Sequence, residues 1–338
     1  MNQSQIQKAF GKLGEELHCL TDDWNEVIEL ASYKNGWFTP ENTRYALKHW
    51  SEILTPDNLE KLAPSSQSGI SPAKIGIVMA GNVPLVGFHD FICVLMSGNK
   101  AIIKLSSDDE VIMKHILKKL QTILPGIEEF WEIRERLNNV DAVIATGSNN
   151  TARYFEYYFR NIPHLIRKSR TSVAIIHQDI TDTELQLLGE DVFRYFGLGC
   201  RNVGKLFLPT GFDPTKILDH LMSWSFVLDH HKYANNYTYH RAIFLLNQTP
   251  HLDTGFLLFK EDAALYSPLG TLYYSFYNSV VELEDIIKEN ESNLQCIVGN
   301  PESWPGAVPF GYSQKPELTD FADNVNTFTF LENLKPRV

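Results

Sequence analysis

The stretch IGIVMAGNVPLVGFHDFICVLMSGNKAIIK, residues 75–104, decides the fold. It opens with an apolar run, Ile75 to Met79, and breaks at Gly81-Asn82-Val83-Pro84. A helical segment within Leu85 to Met96 follows, then a second run, Ala101 to Lys104. Two strand-length runs joined by a helix predict a β-α-β unit with parallel strands. Outward from it the alternation continues. A helix is predicted within Asp109 to Ile123, a strand over Ala142 to Ala145, a helix opening near Ser148, a strand over Val173 to Ile176 and a helix from Thr183 to Phe196. Beyond it come the strand-like Lys205 to Leu208, a helix over Pro214 to Ser223, and the apolar runs Ala242 to Leu246 and Gly255 to Phe259. Ligands of such sheets collect at the carboxyl ends of the strands, and each candidate motif is expected to follow one.

Before residue 75, Leu13, Leu17 and Leu20 recur at spacings of three and four, a helical pattern punctuated by Pro40 and Pro56. The expected organisation is a helical layer over 1–70 packed on a dinucleotide-binding domain over 71–192. A catalytic cysteine domain over 193–315 and a C-terminal tail over 316–338 complete it. The stretch Pro301 to Val338 reads as irregular covering structure, because Phe310, Phe321, Phe328 and Phe330 have apolar surface to bury.

With 338 residues, 43% of them hydrophobic and 12% aromatic, the chain can fill two cores. The formal charge of −11 comes from interspersed acids and argues against nucleic-acid binding. Met1 to Leu20 holds no uninterrupted apolar stretch like that of a signal peptide. The most apolar window, Val83 to Met96, is broken by His89 and Asp90, so a cytoplasmic protein without a membrane span is expected. Cys19, Cys93, Cys200 and Cys296 are too scattered for a zinc motif or a disulfide framework, and Asp229, His230, His231 and His240 match no common metal spacing. No metal is expected.

Four segments carry chemistry. In Phe196-Gly197-Leu198-Gly199-Cys200-Arg201-Asn202, glycines bound a thiol and Arg201 beside it favours the nucleophilic thiolate. A small buried cysteine is the plainer account of Cys200. Asn82 places an amide donor at a strand end, suited to a developing oxyanion, or is simply a turn asparagine. Lys104 with Ser106 and Ser107 suits a nucleotide ribose or 2′-phosphate, or is a solvated lysine ahead of a helix cap. Gly147 and Ser148, opening a helix after a strand, suit a pyrophosphate, although a serine N-cap alone would account for them.

In this order, over residues 70 to 315, these segments resemble the aldehyde dehydrogenase superfamily. Ala80-Gly81-Asn82-Val83-Pro84 resembles its WNFP segment, and Ser97 to Lys104 its TGN-to-KP strand. Gly147-Ser148 resembles its TGS turn, Gly199-Cys200 its GQxC nucleophile and Pro309-Phe310-Gly311 its PFGG segment. The wording of Ala80-Gly81-Asn82, Ile103 to Ser107 and Phe196 to Asn202 is most similar to the acyl-CoA reductase branch, the bioluminescence fatty-acid reductase type.

The resemblance implies an aldehyde-dehydrogenase-like α/β fold, with a Rossmann-like parallel-sheet cofactor domain and an α/β catalytic domain. It implies Cys200 as nucleophile and Asn82 in the oxyanion hole, with Lys104, Ser106, Ser107, Gly147 and Ser148 on the cofactor. The reaction implied is NADPH-dependent reduction of an acyl-CoA or other acyl thioester to the aldehyde, with NADH as the alternative cofactor. A homodimer is implied, with an acyltransferase or synthetase as partner. The rival readings are an aldehyde dehydrogenase that makes free acid and a non-catalytic acyl-binding homologue.

Three departures from the superfamily pattern sharpen this. Its ELGG glutamate, which activates water, is absent from Ile166-Arg167-Lys168-Ser169-Arg170-Thr171-Ser172, so hydrolysis of a thioester intermediate should be slow. The EIFGPV glutamate is replaced within Ser267-Pro268-Leu269-Gly270-Thr271. Ser107 stands where an acid often follows the ribose lysine, which removes repulsion toward a 2′-phosphate and favours NADPH. Arg167, Lys168 and Arg170 are expected to attract CoA phosphates or to form a solvated loop.

Overall fold

The apolar runs of residues 75–104 and 142–145 become the central strands of an all-parallel sheet in the computed structural model, which describes residues 2–62 and 72–334. The expected boundary at residue 70 lies outside the described residues. The chain divides into two compact units, residues 1–169 with 317–338, and residues 170–316.

The first unit begins with four helices: α1 Gln3–His18, α2 Asp22–Lys34, α3 Pro40–Ile53 and α4 Pro56–Leu62. There follow β1 Lys74–Val78, α5 Phe88–Met96, β2 Lys100–Lys104, α6 Glu110–Ile123, β3 Trp131–Ile133, β4 Ala142–Thr146, α7 Asn149–Tyr158 and β5 His164–Arg167. The sheet order is β3-β2-β1-β4-β5. Strand residues alternate between two cores, as a sheet covered on both faces requires. Ala101 and Ile103 enter the larger core with Phe10, Phe88 and Phe91, whereas Ile102 joins Val143 and Phe159 in the smaller one.

The second unit holds β6 Thr171–Ile175, α8 Asp182–Phe193, β7 Val203–Pro209, α9 Thr215–Leu221, α10 His231–Leu246, β8 Leu252–Asp253, β9 Leu258–Glu261, β10 Thr271–Tyr277, α11 Val280–Glu289 and β11 Leu294–Val298. The last helix, α12 Thr327–Glu332, belongs to the first unit. The second sheet runs β11-β6-β7-β10-β9-β8, parallel except for the β8–β9 pair.

The apolar run Ala242 to Leu246 is the end of α10, with Leu245 and Leu246 exposed. Two features differ from the sequence expectation. The division falls after Ser169 rather than after residue 192, because β6 pairs with β7 and β11 and so carries α8 into the second unit. The tail includes α12, whose Phe328 and Leu331 pack into the larger core. Among the described residues no helix is long and apolar enough to cross a membrane.

Candidate active site

The thiol loop is built by α8 and the chain reversal after it. Thr181 and Glu184 form a capping box that starts α8. At its other end Tyr195, Phe196 and Gly197 take left-handed φ values of 54°, 58° and 79°. Two consecutive non-glycine residues there cost on the order of 1–3 kcal/mol each. Asn202 offsets that cost. Its amide donates to the carbonyls of Asp191 (3.2 Å), Val192 (3.3 Å) and Arg194 (2.7 Å), and its Oδ1 accepts the Gly199 N–H at 2.8 Å. One buried side chain therefore caps the end of α8 and closes the loop over Leu198 to Arg201. Phe196 stacks on His230 with ring centroids 4.2 Å apart, which fixes the strained turn from the other side.

Cys200 is half-buried and lies three residues ahead of Val203, the first residue of β7. This corrects the expectation that every motif follows a strand, because the thiol loop leaves a helix and enters β7 at its amino end. Ser172 Oγ donates to the Cys200 carbonyl at 3.0 Å. Burial, followed by the nearby Cys200 sulfur, holds the Tyr266 phenol above its usual range.

Arg201 donates its Nε–H to the Ser313 carbonyl. The backbone N–H groups of Gly311 and Ser313 donate to Asp191 at 2.7 and 2.9 Å. The Pro309-Phe310-Gly311 segment is thus tied to α8 and to the thiol loop. Gly311 is required there by its φ of +84° and because a Cβ would lie 2.9 Å from a Leu187 methyl.

Burial pushes the Asp191 carboxyl up from 3.8 to about 6, against the two N–H donors that lower it. The folded protein therefore holds a proton between pH 4 and 6 that the unfolded chain has lost. This contribution to stability, about 3 kcal/mol, is full below the unfolded pKa and is lost as pH rises through 6. Asp191→Asn, neutral at every pH, is expected to flatten the stability profile over that window. Urea unfolding of both proteins at several values across it checks this, and parallel profiles would contradict it.

In the first unit the candidate cofactor residues share one sheet edge. Val78, the last residue of β1, pairs with Lys104 of β2 and Ala145 of β4. The carboxyl ends of all three strands are therefore level. The turn holding Asn82, the segment Lys104 to Ser107, and Gly147-Ser148 all leave from that edge. The strand order reverses between β1 and β4, the switch point where such sheets bind ligands.

Asn82, Lys104, Ser107 and Ser148 are exposed. Ser106 packs against Gly81 so closely that a Cβ on Gly81 would stand 2.5 Å from its hydroxyl. Ser148 is the N-cap of α7, its Oγ accepting the Thr151 N–H at 3.3 Å, and Gly147 N–H donates to the Arg167 carbonyl at 3.2 Å. Asn82 and the five candidate cofactor residues lie in the first unit, and Cys200 lies in the second.

Asn202 stands within the thiol motif that the sequence marks, whereas Asp191, Ser172 and Asp109 carry no sequence signal beyond their type. Asp109 accepts the buried Leu85 N–H at 2.8 Å, which pins the Asn82 turn where Leu85 adopts φ +65°, and burial holds its carboxyl well above the usual range.

The basic run is not a cluster of exposed cations. Arg167 is buried and paired with Asp90 at 2.9 Å, Lys168 pairs with Glu156 at 2.7 Å, and Arg170 donates to the Leu294 carbonyl at 2.9 Å. Among the described residues no group of three His, Cys, Asp or Glu side chains could hold a metal ion.

The two units have the architecture of aldehyde dehydrogenases. The fold is similar to the Mycobacterium tuberculosis aldehyde dehydrogenase complexed with NAD+, at TM-score 0.66 and 12% identity over 88% of this chain and 73% of that one. An acetylating aldehyde dehydrogenase from Geobacillus thermoglucosidasius matches at TM-score 0.65 and 11% identity over 98% of this chain and 90% of that one. Aldehyde dehydrogenase 21 from Physcomitrella patens, in complex with succinate, matches at 0.64 and 13% over 88% and 73%. No curated protein matches by sequence.

Within that architecture the acyl-CoA reductase (LuxC) family model matches residues 36–217, more than half of the chain, and the protein belongs to that family. It is thereby placed among oxidoreductases of aldehyde chemistry.

Proposed function

We propose that the protein reduces an acyl thioester, most simply acyl-CoA, to the aldehyde through a Cys200 acyl-enzyme. The observation that carries this reading is the acyl-CoA reductase family match, which spans Asn82, Lys104, Gly147-Ser148 and Cys200. The Cys200 thiolate attacks the thioester carbonyl, the tetrahedral oxyanion collapses, and CoA departs as its thiolate, leaving the acyl group on sulfur. Family resemblance assigns the oxyanion to the Asn82 amide and the Cys200 N–H.

The strand edge suits a nicotinamide dinucleotide. It combines the N-terminus of α7, a switch point, and Gly147, where a Cβ would crowd Phe155 and Thr151 at 3.1 Å. Lys104, Ser106, Ser107, Gly147 and Ser148 would hold it, and when bound it supplies the hydride that takes the acyl group to the aldehyde level. Cys200 sulfur then leaves the thiohemiacetal and is regenerated. NADPH is the proposed form, because Ser107 brings no carboxylate toward a 2′-phosphate.

No acid stands between Ile166 and Ser172, and Arg167 there is committed to Asp90. Water activation for release of free acid is therefore unsupported, which favours reduction over oxidation to acid. The same reading carries a cytoplasmic homodimer, supplied by an acyltransferase or synthetase, as part of the proposal.

Incubation with acyl-CoA of graded chain length, without a reductant, tests it by peptide mass spectrometry. The expected result is an acyl adduct on the Cys200 peptide that NADPH discharges as aldehyde. Acid released steadily from aldehyde without CoA would instead establish the oxidising reading, and absence of an adduct at every chain length would leave an acyl-binding homologue.

A further inference from the structure

Ser172, fully buried at the start of β6, meets three groups with one hydroxyl. Its Oγ lies 3.0 Å from the Cys200 carbonyl, accepts the Cys296 backbone N–H at 3.3 Å, and lies 3.1 Å from the Cys296 sulfur. A hydroxyl has one proton and two lone pairs. The carbonyl can only accept, so the proton belongs to Cys200. The sulfur contact is then filled by the Cys296 S–H acting as donor. The hydroxyl is saturated, with the Cys296 S–H as one of its donors.

The sheet is irregular on both sides of this residue. The β6–β11 register slips between Leu294 and Ile297, the stretch that holds Cys296, and the β6–β7 register slips between Ser172 and Val173. A regular ladder would direct the Cys296 N–H to a backbone carbonyl, whereas here it goes to a side chain. Bulges beside functional sites characteristically re-aim side chains in this way.

We infer that Ser172 is a positioning residue that sorts two thiols. It anchors the backbone of Cys200, and it holds the Cys296 S–H as a donor, outside the thioester chemistry. The inference rests on Cys200 being the nucleophile. The sorting matters because a Cys296 thiolate that reached the acyl-enzyme would exchange with it. The acyl carbon would bond to the Cys296 sulfur, the bond to the Cys200 sulfur would break, and Cys200 would gain the proton that Cys296 lost.

Two readouts on the full-length protein test this. One is single-turnover acylation of Cys200 by acyl-CoA. The other is iodoacetamide labelling of Cys200 and Cys296, resolved by peptide mass spectrometry, which needs no substrate. Ser172→Ala is expected to slow acylation by about tenfold to a hundredfold through misplacement of the nucleophile. Loss of one hydrogen bond should raise the Cys296-to-Cys200 labelling ratio by roughly fivefold. The KM for NADPH should stay unchanged, which separates misplacement from general unfolding. Ser172→Thr, which keeps the hydroxyl, should restore both readouts.

Wild-type acylation rate and labelling ratio in folded Ser172→Ala would overturn the inference, as would a folded Ser172→Thr that restores neither. Failure of the wild type to acylate would sink the nucleophile reading instead, while the labelling ratio would still report on Ser172.

Discussion

Cys200→Ala is expected to lose at least about 10⁴-fold in thioester-dependent turnover, the scale on which removal of a covalent nucleophile acts in other acyl-transfer enzymes. The acyl-enzyme should vanish with it. The reason is local. Cys200 sits in a loop that follows the left-handed backbone of Tyr195 and Phe196 and is held by four hydrogen bonds of the Asn202 side chain, three donated and one accepted. The Ser172 bond goes to the Cys200 carbonyl, which alanine retains. Stability should therefore stay within about 1 kcal/mol, as for partly exposed substitutions that leave hydrogen bonds intact. Cys19→Ser, at an exposed free cysteine, is the matched control and should behave as wild type. NADPH oxidation with acyl-CoA, alongside urea unfolding, checks both halves. Turnover within tenfold of wild type would remove Cys200 from the chemistry.

The largest expected stability effect lies elsewhere, at Asp90. Arg167 Nη2 meets Asp90 Oδ1 at 2.9 Å and Nε meets Oδ2 at 3.1 Å, with both side chains almost fully buried. Arg167 also donates to Thr327 Oγ1 at 2.9 Å and to the Ala322 carbonyl, and Thr327 donates to Asp90 at 3.0 Å. Burial pushes the Asp90 carboxyl up, but the Arg167 guanidinium outweighs it and holds Asp90 below the usual carboxylate range. The network joins α5, the end of β5 and the start of α12. Asp90→Ala leaves a buried guanidinium without its counter-ion and should cost about 3–5 kcal/mol. Asp90→Ala with Arg167→Met removes both charges and should recover most of that loss. Denaturant unfolding of the single and double variants measures it, and a single variant within 1 kcal/mol of wild type would contradict the assignment.

That pair shows where sequence reading stops. Arg167-Lys168-Ser169-Arg170 has the local composition of a solvated basic loop, and nothing nearby distinguishes Arg167 from Lys168. The distinction comes from Asp90, 77 residues upstream, and Thr327, 160 residues downstream. Likewise Ala242 to Leu246 is apolar enough for a strand, yet it ends a helix whose last leucines face solvent.

Sequence by itself determined the central strands, because parallel strands covered on both faces must be continuously apolar, and the runs at 75–79, 101–104 and 142–145 have no other use. It also carried the resemblance to the acyl-CoA reductase family, and the family match over residues 36–217 agrees. Only the tertiary structure decided the division after Ser169, the burial of Arg167 and the junction of Ser172 with Cys200 and Cys296. The physical reason is that periodicity is a property of neighbouring residues, whereas hydrogen-bond and charge partners are chosen by chain closure. Ser172 and Cys296, 124 residues apart, become partners only when β11 is laid against β6.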